Sequence, residues 1–186
     1  MRAFTLLETI IALFIVSFVL IFLFLIISNF SDYYIFIVSE MIKRADVDIS
    51  LKEIEGELRS MVYSKKGSYP IELAKSSEII FYKDLKSDGI PEKIHYFVMG
   101  NNLYKHVFLF NSTTLNYDSL PAINKIMIKD LSTSSVFKYF NKNFQETSNL
   151  ADVRVIEVSL GSIIKSPDKI YVNSVTVVPR NLKEKE

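Results

Sequence analysis

The chain has 186 residues, enough for one globular domain and an anchor, and its 22 Lys and Arg stand against 21 Asp and Glu. That balance argues against a nucleic-acid or anionic-membrane surface, each of which needs a basic excess. The absence of Cys excludes disulfides and thiolate metal sites, and with only two His the usual zinc ligands are nearly missing. Hydrophobic residues make up 49% of the chain, and the excess lies at its start.

From Thr9 to Ile27 run 19 residues of which only Thr9 and Ser17 are not plainly apolar. As a helix this run spans roughly 28 Å, close to the ~30 Å hydrocarbon core of a bilayer. No charge occurs between Glu8 and Asp32. A helix buried in a soluble domain needs a polar face, and this one has none, so it reads as a membrane segment. A cleaved secretory signal has a shorter apolar region followed by small residues at alternate positions. Ser28-Asn29-Phe30-Ser31-Asp32 offers no such site. Glu8 is the anomaly, because a carboxylate is costly in hydrocarbon. At the headgroup boundary the positive end of the helix dipole offsets part of that cost.

Arg2-Ala3-Phe4-Thr5-Leu6-Leu7-Glu8, abutting the apolar run, resembles the type III signal of type IV prepilins. The resemblance implies that a prepilin peptidase cuts between Ala3 and Phe4 on the cytoplasmic side and that Phe4 is then N-methylated. It implies also that Glu8 compensates the N-terminal ammonium of a neighbouring subunit and so fixes register in assembly. The family mostly has Gly where this chain has Ala3, which bears on the speed of processing. The implied regions are a leader over 1–3, a transmembrane helix over 4–30, and an amphipathic continuation over 31–62. A globular head over 63–182 and a tail over 183–186 follow.

Beyond the membrane run, Val47, Leu51, Ile54, Leu58 and Met61 recur at helical steps and predict one apolar stripe packed on a domain. Lys43, Arg44, Asp46, Lys52, Glu53 and Arg59 mark the opposite face. Gly67 and Pro70 end the pattern, so a single helix is expected from Phe4 to about Val62, roughly 90 Å long. The chain from about Asp32 onward is expected to be soluble and monomeric by itself.

After Pro70 the period changes. Strands are predicted over Ser77–Lys83, Glu92–Met99 and Leu103–Phe110, joined by polar, Gly-containing turns into an antiparallel meander. Further strands are predicted over Val136–Phe140, Val153–Leu160 and Lys169–Val178, with a loop at Ser112–Asn124 and a solvated tail at Arg180–Glu186. The expected fold class is α+β: a long N-terminal helix packed on an antiparallel β-sheet head. The turn Asp88-Gly89-Ile90-Pro91-Glu92, the strand segment Leu103-Tyr104-Lys105 and the terminal Val178-Pro179-Arg180 are similar to minor pilins of the J and W types.

Asp84, Asp88 and Gly89 have offsets like the start of a calcium loop, but Lys86 and His95 stand where ligands belong. A hairpin turn in which Gly89 supplies positive φ is the favoured reading, and no metal or other cofactor is expected. His95 and His106 lie on separate predicted strands with no carboxylate at triad or metal spacing. Glu53, Glu55 and Glu57 read as part of a charged helix face that needs no catalytic explanation. No nucleotide-binding, zinc-protease or serine-hydrolase motif occurs, so no enzyme is expected.

The expected function is that of a minor pilin or pseudopilin near the tip of a membrane-based filament, in type II secretion, pilus assembly or DNA uptake. The implied partners are other pilins, the prepilin peptidase, the inner-membrane assembly platform and membrane lipid, with no nucleic acid. The implied location is the inner membrane, crossed once, with the N-terminus cytoplasmic and the head periplasmic. The alternative is a bitopic sensor or ligand-binding module with an uncleaved anchor. It calls for a cytoplasmic receiving domain, which three residues cannot form.

Overall fold

The computed structural model describes residues 5–163 and 170–182, the side chain of Asp32 excepted. Ala3 and Phe4, the tail over 183–186 and Lys169 lie outside the described residues. The chain divides into two compact units, Met1–Ile42 and Lys43–Glu186.

A single helix, α1 (Leu6–Arg59), contributes to both units. In the first unit every large apolar side chain from Leu6 to Ile27 is exposed. The few polar side chains there return their donors to the helix itself. Thr9 Oγ1 donates to the Leu6 carbonyl at 2.9 Å, Ser17 Oγ to Leu13 at 2.8 Å, and Asn29 Nδ2 to Leu25 at 2.8 Å. That self-satisfaction is what a helix needs where no water is present to bond its polar groups. Exposed apolar residues continue past the predicted membrane run, at Tyr33, Tyr34, Ile35, Met41 and Ile42.

The second unit begins at Lys43 rather than near Asp32. Among the described residues it holds the last part of α1 and ten strands: β1 (Ile71–Lys75), β2 (Glu78–Lys83), β3 (Glu92–Met99), β4 (Asn102–Phe108), β5 (Phe110–Asn111), β6 (Asn116–Tyr117), β7 (Ile123–Ile128), β8 (Phe137–Phe140), β9 (Val155–Ile163) and β10 (Ile170–Val177). They form a five-stranded sheet in the order β1-β2-β3-β4-β7, a three-stranded sheet in the order β10-β9-β8, and the small β5–β6 hairpin. All pairings between these strands are antiparallel. The fold is therefore α+β, a long N-terminal helix with an antiparallel sheet head.

The predicted stripe is the core. Val47, Leu51, Ile54, Leu58 and Met61 are buried in one cluster with Ile79, Phe81, Ile94 and Tyr96 of one sheet and Ile156, Val158 and Leu160 of the other. The strands alternate as a half-buried sheet requires: Leu103, Lys105 and Val107 point inward from β4, and Tyr104, His106 and Phe108 outward. Gly161 is fixed by a close approach, since a Cβ there would stand 2.2 Å from Ser132 Oγ. Ser132 N–H donates to the Gly161 carbonyl at 2.9 Å, which holds the two segments together.

The structure corrects several expectations. The helix ends at Arg59, not Val62, well before Gly67 and Pro70. Ser60 Oγ takes up the Gly56 carbonyl at 2.7 Å, and Val62 N–H has already left the helix to donate to Tyr82 at 2.8 Å. Ser112–Asn124 is not one loop, because it contains β6 and the start of β7. β7 escapes its alternation pattern because it lies at the sheet edge, where Ile123 and Ile126 remain largely exposed. β1 is likewise an edge strand, missed because Pro70 precedes it and Glu72 interrupts it. The later strands, β8, β9 and β10, make a sheet of their own, a pairing for which the sequence sets no expectation. Arg180–Leu182 is not part of a solvated tail: it forms a 3-10 turn with Leu182 buried, and Asn181 Nδ2 donates to the Met61 carbonyl at 2.7 Å.

Candidate functional site

Glu8 sits in the first turn of α1, where its backbone N–H donates to Thr5 at 3.0 Å. Among the described residues its carboxylate has no hydrogen-bond or ion-pair partner. It heads a helix containing an 18-residue window of mean hydropathy 3.5, none of it buried. This helix is a candidate membrane anchor by length and composition. Ala3 and Phe4, the predicted processing residues, lie outside the described residues, so nothing in the geometry relates them to Glu8.

The head holds a polar cluster. Glu57, expected on a charged helix face, is buried, Glu53, expected on the face opposite the stripe, is half-buried, and Lys105 of β4 is buried opposite them. Lys105 Nζ donates to Glu57 Oε1 at 2.6 Å and to Glu53 Oε1 at 2.7 Å. Tyr96 Oη donates to Glu57 Oε2 at 2.6 Å, and Lys125 of β7 reaches Glu53 Oε2 at 3.0 Å. Burial by itself would raise the Glu53 pKa, but hydrogen bonds from Lys105 and Lys125 hold it below the usual carboxylate range. Burial works against the Lys105 ammonium, and the two glutamates overcome it and raise its pKa. Burial, reinforced by Glu57, pushes the Tyr96 phenol well up. At neutral pH the cluster is an ion-paired clamp between α1 and the five-stranded sheet, with no free nucleophile.

The signal for this clamp was present in the sequence. Lys105 stands between Leu103 and Val107 in a strand whose alternate residues face inward, and Glu57 adjoins Leu58 on the stripe side of the helix. An inward Lys needs a carboxylate, and only the tertiary fold shows which one is within reach.

Asp84 and Asp88 shape a turn. Asp84 accepts the backbone N–H groups of Asp88 at 3.1 Å and Gly89 at 2.9 Å, and Asp88 accepts that of Ile90 at 2.9 Å. Gly89 adopts φ 76°, and Ser87 also takes a left-handed conformation at φ 58°. Among the described residues no group of three or more His, Asp and Glu is placed to hold a metal. His95 and His106 prove to be direct cross-strand partners, with ring centroids 6.4 Å apart. A carboxylate does approach, contrary to the spacing argument, because β2 pairs with β3 and brings Glu78 Oε2 to 3.2 Å from His95 Nε2. Burial lowers the His95 pKa, against the opposing pull of Glu78.

Comparison with known proteins finds no matching family model and no matching curated protein. The functional reading therefore rests on the candidate anchor, the clamp and the sheet surfaces of this chain.

Proposed function

We propose that this chain is a minor pilin-like subunit, held in a cytoplasmic membrane by the first part of α1 and joined to a short filament through that helix. The observation that carries the reading is Glu8, a carboxylate at the head of an apolar helix window with no buried residue, and without a partner among the described residues. A simple anchor gains nothing from an acid there, since insertion improves without it. An assembly contact does gain, because a carboxylate in low dielectric is costly until a neighbouring cation compensates it. The resemblance of residues 2–8 to prepilin signals supplies that cation, as the ammonium of a processed Phe4. The clamp between Glu57 and Lys105 fits the same role, since it makes one firm body of the head and the last part of α1. Type II secretion, pilus assembly and DNA uptake are the systems this reading covers, with the head on the extracytoplasmic side.

Membrane fractionation together with in-cell crosslinking to the other filament subunits tests the proposal. Glu8→Leu should stay in the membrane fraction and lose most crosslinks, with Glu8→Asp intermediate. Crosslinking of Glu8→Leu equal to the unchanged protein would rule out the register role. Mass spectrometry of the N-terminal peptide should find N-methylated Phe4, and an intact Met1 in cells with an active prepilin peptidase would count against the family reading.

A further inference from the structure

The outer face of the five-stranded sheet, opposite the face packed on α1, carries a cleft and a path of rings. Cross-strand pairing puts Tyr82, Lys93 and Phe108 in one row, and Glu72 of β1 closes it by accepting from the Tyr82 hydroxyl. The β5–β6 hairpin folds over this row. The Tyr117 ring lies 5.2 Å from that of Tyr82, and its hydroxyl donates to the Pro91 carbonyl at 3.0 Å. Between hairpin and sheet lies a cleft of about 620 Å³, with Tyr69, Glu72, Lys93, Phe108, Asn116 and Asp118 among its walls. That volume suits a small organic ligand or one end of a longer one.

From Phe108 the rings continue across the sheet. Phe108 lies 6.1 Å from His106, His106 4.7 Å from Phe97, and Phe97 4.7 Å from His95 and 5.4 Å from Tyr104. All five are partly exposed, so each offers ring surface to a ligand.

The charges along this path balance in sign. Lys93 Nζ is ion-paired with Glu72 Oε1 at 2.7 Å, and the cleft carries one further cation and one further anion, each bonded to a neutral amide: Lys66 Nζ donates to Asn116 Oδ1 at 2.9 Å, and Asp118 Oδ1 accepts from Asn111 Nδ2 at 3.3 Å. An anionic ligand would meet Glu72 and Asp118, and a cationic one Lys66 and Lys93. A neutral ligand rich in hydroxyls can donate to the carboxylates and accept from the amines while its C–H faces cover the rings. Single-stranded nucleic acid also stacks on ring platforms, but it needs a positively charged groove, which this balanced face lacks. An extended peptide would bind a strand edge through a backbone ladder, whereas these rings line a face.

We propose that the outer face of the five-stranded sheet binds a neutral polysaccharide, one end seated under the β5–β6 hairpin and the chain laid across Phe108, His106 and Phe97. The binding requires only the head and is independent of the filament role.

The test uses the full chain in lipid nanodiscs, since glycoside detergents would compete. Neutral hexasaccharides of glucose and of N-acetylglucosamine, an oligogalacturonate and a capped neutral peptide are compared by saturation-transfer NMR and titration calorimetry. At least one neutral hexasaccharide should bind, insensitive to salt, with saturation concentrated on its ring C–H protons. Phe108→Ala should weaken that binding about tenfold. Glu72→Gln, which keeps the shape of the cleft, should also weaken it, so the result does not depend on one variant folding. No binding by any neutral hexasaccharide would overturn the proposal. So would binding of the peptide alone, salt-sensitive binding of the oligogalacturonate alone, or neutral binding unchanged in both variants.

Discussion

Lys105 decides how the helix meets the sheet. It is buried against Glu57 and also bonds the half-buried Glu53 of α1, and removing it would leave the buried Glu57 carboxylate with only Tyr96 donating to it among the described residues. Breaking a buried pair from one side costs about 3–5 kcal/mol, while replacing both partners by apolar groups is often neutral. Lys105→Met should therefore lower stability by about that amount in denaturant unfolding, and Lys105→Met combined with Glu57→Leu should recover most of it. Equal loss in both variants would mean that the packing of the Lys105 stem, not charge compensation, matters here. The titrating groups also set a pH profile. His95 is lowered from its ordinary 6.5, chiefly by burial against the pull of Glu78, with His106 and Lys93 adding to the lowering. The unfolded chain then takes up that proton first, so stability falls as pH drops below 6.5. Glu53, Glu72 and Glu78 are lowered from 4.5, so their contribution is present above that value and lost as pH falls through their folded values. Lys105 is raised from 10.5, so its contribution is present below 10.5 and lost as pH rises through its folded value. A broad maximum on the neutral to mildly alkaline side is expected. His95→Gln should flatten the first acid decline and leave the carboxylate step, as measured by denaturant midpoints across pH.

Two glycines show how elements of the same chain tolerate the same change in opposite ways. Gly56 lies in the interior of α1 with nothing within 4 Å of the place a Cβ would take, so a methyl group there meets open space. Gly56→Ala should stabilise the head by about 0.5–1 kcal/mol, because it removes backbone freedom from the unfolded chain. In β9, a Cβ on Gly161 would meet Ser132 Oγ at 2.2 Å and Val172 Cγ2 at 3.0 Å. Gly161→Ala should destabilise by about 1–3 kcal/mol through overpacking. Thermal unfolding of the two variants side by side checks both signs. The elements themselves were legible to different degrees. β2, β3 and β4 announce themselves because Ile, Phe, Tyr and Val recur along each strand between polar, Gly-containing turns, and Lys105 is the inward exception. The edge strands β1 and β7 do not, because an edge strand is half solvated and carries residues such as Glu72 and Lys125 that read as loop.

The whole chain divides into two compact units. The head is a unit from Lys43 onward with its own core, but the helix just before it exposes Tyr33, Tyr34, Ile35, Met41 and Ile42. A fragment beginning at Lys43 should be monomeric in water. One beginning at Tyr33 should self-associate, because it adds the exposed apolar side chains of Tyr33, Tyr34, Ile35, Met41 and Ile42. Analytical ultracentrifugation of the two fragments distinguishes them. Equal monomeric behaviour would show that this stretch of helix is not an association surface.

The sequence by itself determined the apolar run that makes α1 a candidate anchor, the helix stripe and the class of the head. Each of these is a local pattern, a charge-free run or a period of 3.6 or 2, which burial must follow whatever its partner is. It did not determine which polar residues lie inside. Glu57, Lys105 and Tyr96 belong together only because α1 packs on β3 and β4 at one register, and a charge enters a core only where its counter-charge arrives from a distant part of the chain. The cleft beneath the β5–β6 hairpin is likewise a product of tertiary structure. Its walls come from residues 66 to 119, and no short-range pattern brings Glu72, Lys93, Phe108 and Asn116 to face one another.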